Sequence, residues 1–153
     1  MTYPKIKSKK GFTLIEVMIA LAILAFCLTG MLLTYIGLLA LNETSRNLTL
    51  ATNVAQIKLE ELRNQSFDTL NNFNGNTFDV TGFAAGNAKG RIEVENTNYA
   101  DLKQVRLVIS WKQRGGRLVG EDVNLNGALN VGEDKNGNAR LDSPAEVISF
   151  IAK

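Results

Sequence analysis

Between Phe12 and Leu41 the chain carries a single ionisable side chain, Glu16, in an otherwise almost unbroken apolar run. A helix of that length, rising ~1.5 Å per residue, more than spans the ~30 Å hydrocarbon core of a bilayer. The segment predicts a membrane anchor, apolar all round as lipid contact or a helix-bundle interior demands. Ala20, Ala22, Ala25 and Gly30 offer places where neighbouring helices can approach closely. Gly30 and Gly37 are the weak points, each costing ~1 kcal/mol in a helix interior. The only cysteine, Cys27, lies within the run, so an intramolecular disulfide is impossible and the thiol reads as a small core residue.

The polar stretch ahead of the anchor, Met1 to Gly11, contains Lys5, Lys7, Lys9 and Lys10. A secretory signal places its small-residue cleavage site after the apolar core. Here the candidate cut, after Gly11, comes before it, so cleavage leaves the whole helix with the mature chain. Basic flanks stay on the cytoplasmic side, which directs the C-terminal part outward. A carboxylate in the apolar zone costs ~3 kcal/mol, so Glu16 is expected to find a cation when helices pack, while its place near the helix N-terminus makes it tolerable until then.

The string Lys9-Lys10-Gly11-Phe12-Thr13-Leu14-Ile15-Glu16-Val17, followed by the long apolar helix, resembles the type III signal of type IV prepilins and the related pseudopilins. The resemblance implies that a membrane-embedded aspartic peptidase, the prepilin peptidase, cuts after Gly11 and methylates Phe12. It also implies that Glu16 pairs with the α-amino group of a neighbouring subunit's first residue, an amine that exists only once the leader is gone. The pilin fold that comes with it is α+β, a long N-terminal helix packed on a small antiparallel sheet. Other pilin subunits become the expected partners, with the bacterial inner membrane and then a pilus or periplasmic filament as location. One departure is Leu33, which stands where many major pilins have a proline.

Charge supports this division of the chain. Removing the four leader lysines from 17 basic residues leaves 13 against 15 acidic, a side-chain balance of −2 that gives no basic face for nucleic acid. Residues 1–11 read as leader, 12–41 as anchor and filament-core helix, 42–65 as its amphipathic continuation, and 66–153 as a small β domain. In the continuation, Leu48, Leu50, Ala51, Val54, Ala55, Ile57, Leu59 and Leu62 share half the circumference, with Thr49, Asn53, Gln56, Glu60 and Arg63 on the other half. No Pro or Gly interrupts Leu38 to Gln65, so anchor and continuation form one helix, far longer than the common globular one. The segment from Ala51 to Arg63 is similar to the corresponding part of minor pilins and of one minor pseudopilin class.

Asn71 to Gly90 is rich in Asn and Gly and predicts a long loop, with Phe73, Phe78 and Phe83 anchoring it to the helix and a short strand at Thr77 to Val80. Arg91 to Thr97, Leu102 to Gln113 and Glu146 to Ile151 predict strands. In the second, Val105, Leu107, Ile109 and Trp111 alternate with Arg106, Val108, Ser110 and Lys112, the pattern of one buried face.

Between the last two strands, Glu121 to Pro144 holds the most distinctive polar pattern. Asp122, Asn124, Asn126, Gly127 and Glu133 fit the twelve-residue EF-hand loop, with Ala128 offering its carbonyl and Asn130 a direct or water-mediated ligand. Asp134, Asn136, Asn138 and Asp142 repeat the spacing, but Ala139 replaces the glycine and no Glu stands at the twelfth place. This half reads as a degraded copy or as accessory ligands for the same ion. Asn, Gly and Asp also build ordinary turns. The expected cofactor is a structural calcium, held weakly, at ~10⁻⁴ to 10⁻³ M, because carboxylates are few.

An enzyme is not expected. There is no His, G-x-S-x-G or phosphate loop, and the only Cys is in the anchor. Three functions share these features: a minor type IV pilin, a pseudopilin of a type II secretion system, and a membrane-tethered calcium-binding module that does not polymerise.

Overall fold

The computed structural model describes residues 11–153; the leader lysines lie outside them. A single helix, α1, runs Leu14–Arg63, 50 residues. It is followed by a short 3₁₀ helix at Phe67–Phe73 and five strands: β1 (Thr77–Asp79), β2 (Ala88–Asn96), β3 (Leu102–Lys112), β4 (Leu118–Val119) and β5 (Ala145–Ala152). The chain divides into a unit ending at Leu41 and a compact unit from Asn42 to Lys153. In the first, the part of α1 up to Leu41 is long and apolar enough to cross a membrane, and none of its described residues is buried by the rest of the chain.

The unit from Asn42 to Lys153 is built on β3. Antiparallel β2 lies on one side, in register from Ala88↔Trp111 to Asn96↔Lys103. On the other, β5 pairs with the first two-thirds of β3 and β4 with its end. β1 adds to the far edge of β2. All five strands are antiparallel, and with the long helix they make the α+β arrangement that the pilin resemblance implies.

On one face of the sheet, Ala51, Ala55, Leu59 and Leu62 of α1 pack in a core with Ile92, Val94, Val105, Leu107, Ile109 and Trp111. The i, i+4 spacing of Ala51, Ala55 and Leu59 places them on one line down the helix, and the alanines let the sheet come close. The apolar half-circumference is therefore narrower than its sequence implies: Ile57 is largely exposed, and the line continues upward through buried Asn47. Phe73, Phe78 and Phe83 pack against this core as expected, joined by Phe67 from the 3₁₀ helix, an element the sequence pattern did not reveal. Strand β2 starts earlier than expected because Gly90 can sit under the Phe78 ring, where a Cβ would lie 2.2 Å from the ring.

The opposite face departs from expectation. Arg106, Val108 and Ser110, read as the solvent side of β3, are as buried as the core residues, and only Lys112 is exposed. Residues 120–144 fold back across them. Leu141 is buried there, Gly120 lies directly over Ser110, and Ser143 donates its hydroxyl to the Ile109 carbonyl. The polar loops act as a third layer.

Candidate functional site

At the N-terminal end of α1, Gly11 and Phe12 are exposed and non-helical. Thr13 begins the helix, its hydroxyl accepting the Glu16 N–H at 3.3 Å and its carbonyl the Val17 N–H at 3.2 Å. This is the side-chain half of a Thr-x-x-Glu capping box. The sequence contained that signal, and it fixes where the helix starts: Gly11 and Phe12, which flank the candidate cleavage point, lie in exposed, non-helical chain just ahead of the first turn. The Glu16 carboxylate is exposed and has no ion-pair partner among the described residues.

The double loop has more internal geometry. The Asp122 carboxylate accepts the N–H groups of Asn126 (3.0 Å) and Gly127 (2.7 Å). Asn124 Oδ1 accepts the Asn126 N–H, and Asn126 Oδ1 accepts the Ala128 N–H. Twelve residues later every bond recurs: Asp134 accepts from Asn138 (3.1 Å) and Ala139 (2.8 Å), Asn136 from Asn138, and Asn138 from Arg140. The backbone matches too. Leu125 and Gly127 have φ of 56° and 75°, and Gly137 and Ala139 have 74° and 59°. Ala139 thus adopts the left-handed conformation of the glycine it replaces, at a cost of roughly 1–2 kcal/mol. Gly127 cannot be exchanged so easily, since a Cβ there would lie 2.3 Å from the Thr77 side chain.

Closure of the loops is reciprocal, which the sequence reading missed. Glu133 accepts the N–H groups of Val123 (2.9 Å) and Asn130 (2.9 Å), the second and ninth residues of the first loop. Glu121 accepts those of Lys135 (3.2 Å) and Asp142 (3.2 Å), the second and ninth residues of the second. Each loop is thus closed by the glutamate that immediately precedes the other. The second loop lacks a Glu at its twelfth place, as the spacing says, but Glu121 takes the equivalent role from the opposite side. The repeated Glu-Asp pairs, Glu121-Asp122 and Glu133-Asp134, were the available signal.

Charge around the loops is uneven. Glu121, Asp122 and Glu133 are each at least nine-tenths buried, and of the loop carboxylates only Asp142 has an ion-pair partner among the described residues. That partner is Arg106, 4% exposed. It donates Nη2 to Asp142 (2.8 Å) and to the Leu141 carbonyl (2.9 Å), Nη1 to Glu93 (2.7 Å), and Nε and Nη2 to Glu146 (2.6 and 3.1 Å). Burial alone would lower the Arg106 pKa, but the bonds and charges of Glu146 and Glu93 outweigh it and raise the value further. Burial pushes the Asp122 carboxyl above the ordinary aspartate value, against its N–H bonds and with the Glu133 charge adding to the rise. Burial acts the same way on Glu133, but bonds from Asn130, Asn124 and Val123 prevail and hold it below the usual range. Asp142 is also held low: the Asn136 and Asn138 amides and Arg106 overcome its burial.

The donor set consists of carboxylate, amide and carbonyl oxygens, which suit a hard cation. Among the described residues no three His, Cys, Asp or Glu side chains are grouped to hold a metal by themselves. A cation in the first loop would therefore rely on Asp122 and Glu133 together with Asn124, Asn126, Asn130 and the Ala128 carbonyl.

Residues 6–32 match the family model described as the prokaryotic N-terminal methylation motif. The N-terminal segment is a prepilin-type signal. The match takes in Gly11, Phe12 and Glu16 and places the first part of α1 within the prepilin signal, the kind shared by type IV pilins and pseudopilins. It does not extend into the unit from Asn42 to Lys153. No curated protein and no solved structure matches the chain.

Proposed function

We propose that the chain is a minor type IV pilin: a structural subunit that waits in the inner membrane with its C-terminal domain in the periplasm, is cut after Gly11 and methylated on Phe12 by the prepilin peptidase, and then joins a pilus. The observation that carries this reading is the prepilin signal at the head of a 50-residue helix. The described part of that helix up to Leu41 is exposed along its whole length. A helix so apolar requires lipid or other helices, and a filament core supplies the second. A pseudopilin of a type II secretion system shares both features; the filament components that co-purify with the processed protein decide between them. Substituting Gly11→Ala should slow cleavage, leaving full-length chain in the membrane. Intact-mass analysis that finds the variant normally cut and methylated would contradict the assignment.

We further propose that the double loop binds calcium in a structural role. The support is electrostatic as well as geometric: Asp122 and Glu133 are buried without a basic partner, and a divalent cation removes the cost of that arrangement. Asp122, Asn124, Asn126, Asn130 and Glu133 would hold it in the first loop, and Asp134, Asn136, Asn138, Asp142 and Glu121 are the matching set in the second. Calcium at ten times Kd should stabilise the processed protein in detergent by about 1.4 kcal/mol, a rise of several degrees in Tm. The paired substitutions Asp122→Ala and Glu133→Ala should abolish the rise.

The pH dependence follows from Asp122. Its folded-state pKa is raised, so in calcium-free protein its contribution favours folding at low pH and is lost as pH climbs through that value. Glu133 and Asp142 behave oppositely, contributing above their unfolded pKa and losing it on acidification through their lowered folded values. Because calcium needs Asp122 ionised, the calcium-induced rise in Tm should grow with pH across the Asp122 titration. A calcium response absent at neutral pH removes the metal assignment.

A further inference from the structure

The turn between β3 and β4 carries charges that neither the filament nor the calcium reading uses. Lys112, Arg114 and Arg117 are exposed there, around Gly115 and Gly116. The turn is fastened to the beginning of the unit from Asn42 to Lys153: the Arg114 N–H donates to the Glu43 carboxylate (2.8 Å) and the Gln113 amide to the Thr44 hydroxyl (3.0 Å). Arg46 is exposed three residues beyond Glu43, on the same side of the helix.

Unpaired cations are concentrated at this place. Among the described residues six exposed Lys or Arg have no ion pair, namely Arg46, Lys112, Arg114, Arg117, Lys135 and Lys153, and four of the six are these. Glu43 is the one carboxylate bound to the turn, so the cluster keeps a clear positive excess in a mature chain whose side-chain balance is negative.

Glu43 and Thr44 follow Leu41, where the apolar run ends, by two and three residues. Chain of that length reaches no more than about 10 Å, and the headgroup layer adds roughly 5–8 Å outside the hydrocarbon on each side of a bilayer. An apolar run longer than the hydrocarbon is thick is accommodated by tilt, which keeps Leu41 at the membrane boundary, so a turn bonded to these two residues is within reach of lipid headgroups. We propose that Arg46, Lys112, Arg114 and Arg117 form a basic surface that docks on anionic phospholipid headgroups while the subunit is anchored, seating the β-sheet unit on the membrane before assembly. The inference rests on residues 12–41 spanning the membrane, as the proposed function requires.

The test uses the full chain in nanodiscs of phosphatidylcholine, with or without phosphatidylglycerol, and amide hydrogen exchange in residues 113–118. Docking slows exchange in the anionic discs, by about fivefold in the docking equilibrium for each cation engaged. The protection disappears in about 1 M salt, where the Debye length is about 3 Å. It also disappears in the variant Lys112→Gln, Arg114→Gln, Arg117→Gln, whose fold is checked by its melting curve; should that variant not fold, Arg46→Gln alone should reduce protection in proportion. Equal exchange in the two lipids overturns the proposal, as does protection that survives neutralisation. Protection by duplex DNA in place of anionic lipid assigns the surface to nucleic acid instead. Entry into the discs is read separately from co-elution with lipid, so a chain that fails to enter overturns the anchor reading together with the inference, while a chain that enters but shows no lipid dependence overturns the inference alone.

Discussion

Glu16→Ala should be cleaved and methylated normally yet be nearly absent from sheared filaments. The carboxylate has no partner among the described residues of its own chain and sits one turn into a helix with no polar neighbour beyond Thr13. Placing such a group in an apolar bundle costs about 3 kcal/mol, so it needs a cation there, and on the proposed processing the amine freed at Phe12 supplies it. Removing the acid leaves that amine without its counter-charge. A loss of about 3 kcal/mol in subunit docking corresponds to roughly a hundredfold in incorporation, and Glu16→Gln should behave alike because shape is kept and charge is not. Recovery of either variant in filaments at the parental level would sink the assembly role, and with it the preference for a polymerising subunit over a tethered module.

The largest effect on stability is expected at Arg106. Its guanidinium joins Glu93 of β2, Glu146 of β5 and Asp142 of the second loop from the middle of β3. Arg106→Met retains most of the apolar stem but takes the only ion-pair partner among the described residues from Asp142 and Glu146 and one of two from Glu93; breaking a buried set costs about 3–5 kcal/mol, and the partial exposure of Asp142 and Glu146 puts the loss at the lower end. The exposed Arg140–Glu95 pair offers an internal control: Arg140→Met should cost less than about 1 kcal/mol. Urea unfolding followed by Trp111, the only tryptophan and 1% exposed, measures both. Were the two variants equally stable, the network would be a surface decoration and the loops would not form a layer of the fold.

Much of this architecture was legible from pattern alone. The apolar run, the prepilin-type signal and the long helix are written in hydropathy and in a short motif, and four of the five strands in short apolar runs bounded by turn residues, with ends within a few residues; the two-residue β4 was too short to show. The second covered face was not, for a definite reason. Arg106 and Ser110 are polar residues that conventionally face water, and Arg106 tolerates burial here because residues up to 40 positions away supply its hydrogen-bond partners. Local periodicity carries no information about a polar lid. The repeated Asp-x-Asn-x-Asn spacing of the double loop was visible, with the glycine and Glu133 at the sixth and twelfth places of its first half. The closure of the second half by Glu121 was not, because the reading looked for its Glu within the twelve-residue frame.

That closure makes the two loops unequal in what they need. The first carries its finishing acid, Glu133, at its own twelfth place, whereas the second has none and leans on Glu121 from ahead of the first. A shortened chain that kept only the first loop would keep its clasp; one that kept only the second would lose it.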